Sequence, residues 1–240
     1  MRDFSLQLYS LRDIPTLRER MEIAAEAGYT GVEFAGYENY TALELKQLLT
    51  TLGLRGTGSH IGYDLLKQDL TGCVAYCEHA GIASAACPGI AMSGRDDALK
   101  AAEFLETCAE AFEEAGICFA YHNHAHEFEM DGGQYLLEIM LHNTILTGFE
   151  LDVYWAAYAG VDPLAFIQKY AGRFPLLHFK EMRRDRANVE LGRGTLDFAA
   201  LGKAGVEQGT RELIVEQEEY TMSPADSVAA DAVYMKALTF

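Results

Sequence analysis

The chain has 240 residues, 50% of them hydrophobic, and its 19 Lys and Arg against 36 Asp and Glu give a net charge of −17 at pH 7. That length and apolar fraction suffice for one large core and exclude disorder as the main state. The negative charge opposes nucleic acid as a partner, because binding a polyanion relies on Lys and Arg displacing counterions from phosphates.

No stretch approaches the roughly 18 apolar residues that span a bilayer, and the start, Met1-Arg2-Asp3-Phe4-Ser5, is unlike a signal peptide. A cytoplasmic protein with no membrane partner is expected. The five cysteines, Cys73, Cys77, Cys87, Cys108 and Cys118, lack paired CxxC spacing, so reduced and mostly buried thiols are expected. The basic cluster Arg183-Arg184-Asp185-Arg186 reads as a solvated loop.

Short apolar or β-branched runs alternate with longer helical patterns, without linkers or composition breaks. Phe4 to Tyr9 is the first predicted strand, followed by a helix capped by Asp13, with Leu17, Met21, Ala24 and Ala25 on one face and Gly28 as its stop. Gly31 to Ala35 is the second strand. Thr41 and Glu44 have capping-box spacing ahead of Leu45, Leu48, Leu49 and Leu52, and Gly53 ends that helix. Arg55 to His60 is the third strand, with a helix near Leu70 to Ala80, and Ile82 to Cys87 the fourth. Ala98, Ala101, Ala102, Leu105, Cys108, Ala109 and Phe112 then recur at helical spacing until Gly116.

Ile117 to His122, Gly148 to Val153, Pro175 to Lys180 and Glu212 to Gln217 complete eight predicted strands. Asp162-Pro163 and Ser223-Pro224 each read as an N-cap with Pro at the first helical position. Eight strand–helix units over residues 1–240 predict a single-domain (β/α)8 TIM barrel, a fold of about 250 residues. An open doubly wound sheet is the structural alternative.

In such a barrel the chemistry sits where strands end, and that is where the unusual residues fall. The fifth strand runs into His122-Asn123-His124-Ala125-His126-Glu127, which holds three of the seven histidines. Strand alternation pairs Glu150 with Asp152, His178 with Lys180, and Glu216 with Glu218 on shared faces. With apolar side chains expected in the middle of the barrel, these pairs belong near its mouth. Singly, an Asp there reads as a helix cap and a His as a structural residue. Together, the carboxylates would repel one another unless a divalent cation joined them.

Phe4-Ser-Leu-Gln7-Leu-Tyr9-Ser10-Leu-Arg12-Asp13, Tyr121 to Phe128, Leu151 to Trp155, His178 to Glu181, Gly192 to Thr195 and Val215 to Glu218 resemble the sugar phosphate isomerase/epimerase family of xylose-isomerase-like TIM barrels. The resemblance implies a metal held by Glu127, Asp152, His178 and Glu216, with Glu129 and His126 as the neighbouring alternatives to Glu127 and Mn²⁺ preferred over Mg²⁺, Co²⁺ or Zn²⁺. It implies an isomerase or epimerase acting on a keto-sugar, in which Glu127 and Glu216 exchange a proton next to a carbonyl through a metal-stabilised enediolate. It also implies substrate contacts from His60, His122, His124 and Lys180, while Trp155 and Phe34 are candidate apolar walls for a sugar ring, with core packing preferred for Phe34.

Two features of the sequence bear on this resemblance. Trp155 stands where the family's ketose 3-epimerases have a histidine, three residues after the aspartate ligand, and Arg193 in Gly192-Arg193-Gly194 could meet an anion. Rival readings are a keto-sugar or inosose dehydratase or β-eliminating lyase, an endonuclease, which the charge of −17 disfavours, and a non-catalytic sugar-binding barrel. A homodimer is an expectation from the resemblance alone.

Overall fold

A computed structural model describes residues 3–240; Met1 and Arg2, which open the charged start read above, lie outside the described residues. Eight strands form one parallel sheet: β1 (Ser5–Gln7), β2 (Gly31–Phe34), β3 (Arg55–Ser59), β4 (Ser84–Cys87), β5 (Cys118–His122), β6 (Gly148–Asp152), β7 (Leu176–Phe179) and β8 (Glu212–Val215). Their order is β3-β2-β1-β8-β7-β6-β5-β4. Isolated parallel bridges from Gly56 to Ile82 and from His60 to Ala86 then bring β3 and β4 together, so the ring is nearly closed. This is the predicted (β/α)8 barrel, with each strand one to three residues shorter than its sequence pattern.

The helices are α1 (Leu17–Ala27), α2 (Ala42–Leu52), α3 (Tyr63–Ala80), α4 (Arg95–Glu114), α5 (Leu136–His142), α6 (Val153–Tyr158), α7 (Pro163–Lys169), α8 (Phe198–Glu207) and α9 (Pro224–Ala237). Thr16 caps α1, where Asp13 was expected, through a reciprocal box with Glu19. Pro15 explains the difference, because the residue before a proline is pushed out of the helical region, so Ile14 cannot open a helix. Helix α3 starts well before its predicted span and carries a kink at Asp69. The capping box of α2, its left-handed Gly53 and the prolines opening α7 and α9 are as the sequence indicates.

Most of the apolar core lies between strands and helices, where Leu6, Val32, Phe34, Leu151, Leu177 and Phe179 meet Leu45, Leu105 and Phe112. Phe34 therefore belongs to the core. A separate small cluster of Ala86, Ala120, Leu176 and Ile214 is the apolar part of the interior. Instead of the expected apolar middle, Gln7, Glu33, Glu150 and His178 are fully buried and hydrogen-bonded or ion-paired to one another. The five cysteines are free thiols. Among the described residues, no helix is long and apolar enough to cross a membrane.

Candidate functional site

The ends of four consecutive barrel strands bring His122, Asp152, His178 and Glu216 together, all buried, with one ligand-capable atom of each within 4.8 Å of the others. Strand parity places them, since each follows an inward-facing residue two positions earlier: Ala120, Glu150, Leu176 and Ile214. Asp152 serves two ends at once. Its Oδ1 caps α6 by accepting the Trp155 N–H at 3.0 Å, whereas Oδ2 has no hydrogen-bond partner among the described residues and lies 3.6 Å from His122 Nε2.

Both ring nitrogens of His122 are likewise buried without a hydrogen-bond partner among the described residues. A buried polar atom left unpaired costs about 1–3 kcal/mol, so these lone pairs call for an acceptor of electrons at their centre. Two imidazoles and two carboxylates fit a divalent cation. Burial pushes the Asp152 carboxyl up to about 6, against the pull of Lys180, and burial with the neighbouring His178 and His60 holds His122 well below the usual imidazole range. His122 is therefore neutral, the form that ligates metal.

A second group lies one layer deeper. His178 Nδ1 is 3.3 Å from Glu216 Oε2, while its Nε2 is 2.7 Å from Glu33 Oε2 and 3.3 Å from Glu150 Oε1. His60 Nε2 contacts Glu150 Oε2 at 2.8 Å, and Gln7 donates to Glu33 Oε2 at 2.8 Å. Burial opposes a charged imidazole at His178, but Glu150 and Glu33 outweigh it and hold the ring's pKa well above its usual value.

Above the cluster opens a cleft of about 370 Å³ lined by Tyr9, His60, His122, His124, Glu216 and Glu218, among others. Lys180 is buried beside it, 2.9 Å from Glu218 and 3.6 Å from Glu216, with its ammonium 5.0 Å and 4.8 Å from the ring centroids of Tyr154 and Trp155. Burial alone would lower its pKa; Glu216, Asp152 and Glu218 raise it, so it stays charged. His124, which lines the cleft, packs 5.4 Å from Trp155, which does not line it. Arg193 is committed to Glu190 at 3.5 Å and Thr221 at 3.1 Å.

Asp152, His178 and Glu216 thus come together, and His60, His122, His124, Lys180 and Trp155 surround them. Glu127 does not join them, so it does not stand with the other three residues expected to hold the metal. The chain after β5 makes a 3-10 turn at His126–Phe128 that folds Glu127 back, where it accepts the Tyr121 hydroxyl at 2.5 Å and the His124 N–H at 2.8 Å. His122 occupies the fourth position instead.

Sequence reasoning also passed over Glu33 and Gln7. The signal was present, since Val32 and Phe34 share one face of β2 and leave Glu33 the other, which in a closed barrel is the interior.

The chain matches the xylose isomerase-like TIM barrel family over residues 21–238. Among solved structures, it resembles a sugar phosphate isomerase/epimerase from Parabacteroides distasonis, with 26% identity and a TM-score of 0.83 over 98% of this chain and 94% of that one. It also resembles a probable 3-DHS dehydratase from Bacillus anthracis, at 14% identity and a TM-score of 0.78 over 99% and 100% of the two chains. An IOLI protein with a bound zinc atom superposes at a TM-score of 0.79 and 12% identity, over 98% of this chain and 96% of that one. No curated protein matches the chain at a significant level. With the family match spanning most of a barrel that has this strand order, the chain belongs to the xylose isomerase-like TIM barrel family.

Proposed function

We propose that the protein is a divalent-metal-dependent isomerase or epimerase of a keto-sugar or sugar derivative, moving a proton on the carbon next to a carbonyl. The observation that carries this reading is the buried set His122, Asp152, His178 and Glu216, with unpartnered ligand atoms on His122 and Asp152 at the floor of an open cleft. When bound, the cation supplies Lewis-acid polarisation of a substrate oxygen and charge neutralisation. The set holds two imidazoles rather than the one expected, which moves its preference from Mg²⁺ toward Co²⁺ and Zn²⁺, and Mn²⁺, which accepts both donor types, is kept as the first ion to test.

The protein's own groups do the rest. Glu216 and His124 both line the cleft and are the groups placed to take and return the substrate proton. Lys180, fixed between Glu218 and the aromatic pair, presents a buried positive charge to oxygen atoms of the substrate. His124, packed against Trp155, offers a flat face for the sugar skeleton. The protein is proposed to work in the cytoplasm, with a homodimer as its assembly.

Equilibrium dialysis against Mn²⁺, with metal counted by mass spectrometry, tests the site: close to one ion per chain is expected, and little in Asp152→Asn or Glu216→Gln. Loaded protein is then screened with keto-sugars in deuterated water. Deuterium at the carbon next to the carbonyl supports the reading. A dehydrated product instead makes the protein a dehydratase using the same proton abstraction, and absence of retained metal in the parent removes the mechanism.

A further inference from the structure

We infer that Glu33 is a positioning residue for the candidate metal centre, holding the His178 ring so that Nδ1 faces Glu216. The inference rests on the metal reading above and adds a residue that touches neither the cation nor the substrate. A carboxylate can only accept a hydrogen bond, so Glu33 Oε2, 2.7 Å from His178 Nε2, fixes the proton on Nε2. Glu150 Oε1 lies 3.3 Å from the same nitrogen but makes no hydrogen bond among the described residues, so Glu33 is the acceptor. Nδ1, 3.3 Å from Glu216 Oε2, is then the nitrogen left to exchange its proton for a cation.

The local fold is arranged to admit this carboxylate. Glu33 reaches His178 across the barrel, from a strand that β1 and β8 separate from β7. Its carboxylate is anchored by Gln7 at 2.8 Å and lies 3.3 Å from His60 Nε2. The register between β2 and β3 slips after Val32, so that Thr57 is skipped and Gly58 stands opposite Glu33. A Cβ at Gly58 would overlap the Glu33 carboxylate, and only a residue without a side chain leaves the space that Glu33 fills. A bulge that re-aims one side chain, together with a glycine that makes room for it, marks a position set by function as much as by packing.

A carboxylate behind a ligating imidazole fixes its tautomer and orientation and raises its basicity, and removal of such partners weakens metal binding about 10- to 100-fold. The test is Mn²⁺ titration of the whole protein, following the electron paramagnetic resonance signal of free Mn²⁺, for the parent, Glu33→Gln and Glu216→Gln. The parent is expected to bind one ion, Glu216→Gln to lose it, and Glu33→Gln to bind about 10- to 100-fold more weakly with an unchanged circular dichroism spectrum.

Long-range ¹H–¹⁵N spectra of the Zn²⁺-loaded protein supply a readout that a merely structural role would not move. His178 is expected to show one tautomer, protonated at Nε2, in the parent and a mixture in Glu33→Gln. If Glu33→Gln does not fold, Gly58→Ala, which displaces the carboxylate without removing it, is expected to weaken binding in the same way. Parent-like affinity in whichever variant folds overturns the role of Glu33 alone, whereas a parent that binds no Mn²⁺ overturns the metal reading and this inference together.

Discussion

At the scale of the residue, Asp152 shows that a structural and a chemical role need not exclude each other, because its two oxygens face different partners. Asp152→Asn keeps an oxygen for the Trp155 N–H but removes the charge, so Mn²⁺ retention should be lost with the fold intact. Asp152→Ala also loses the cap of α6 and should lie about 1 kcal/mol below Asp152→Asn in urea unfolding of metal-free protein. Glu127 and Glu216 offer the complementary comparison. Glu127 is engaged by Tyr121 and His124 outside the cluster, so Glu127→Gln should bind Mn²⁺ within about threefold of the parent, which is under 1 kcal/mol. Equal loss of metal in Glu127→Gln and Glu216→Gln would return Glu127 to the ligand set. The sequence marked His122, at the end of the fifth strand, as a substrate contact rather than a ligand, and could not show that the 3-10 turn after it would reverse the course of Glu127.

Element boundaries were legible wherever one local interaction decides them. Thr41 with Glu44, Gly28, Gly53 and the two prolines at helix starts act within a few residues, and each lies where its chemistry placed it. Helix α1 was misjudged because two local preferences compete, and the restriction before Pro15 prevails over the capping ability of Asp13. The two sites are therefore expected to differ on substitution: Thr16→Ala should cost about 1 kcal/mol, and Asp13→Ala under about 0.5 kcal/mol, in denaturant unfolding. Six of the strands end one or two residues before their patterns, as they enter the loops that build the mouth, whereas β4 and β5 end where expected and start later. Those loops hold α6 and two short antiparallel ladders, elements too brief for periodicity to register.

For the molecule as a whole, the chief uncompensated burial away from the cleft is Asp231 on α9, which joins that helix to the loop after β7. Its Oδ1 accepts the Leu191 N–H at 2.7 Å, and its Oδ2 is buried with no hydrogen-bond partner among the described residues. Burial, seconded by Glu190, pushes this carboxyl up to about 7 from an ordinary 3.8, although the Leu191 hydrogen bond pulls it down. Between those values the folded protein holds a proton that the unfolded chain has released, so this group makes stability fall as pH rises from about 4 to 7, by on the order of 4 kcal/mol. Asp231→Asn should therefore be more stable than the parent at pH 8, and that advantage should shrink toward pH 4; equal unfolding midpoints at pH 8 would contradict it.

The sequence by itself determined the barrel, its acidic composition and the strand ends that carry polar side chains. Alternation along a strand and capping at a helix end are local, and eight repeats of them leave few ways to pack. Only the tertiary structure decided which of those side chains meet. The replacement of Glu127 by His122, the polar interior and the reach of Glu33 to His178 depend on barrel closure, a bulge and a turn, none of which leaves a periodic mark in the chain.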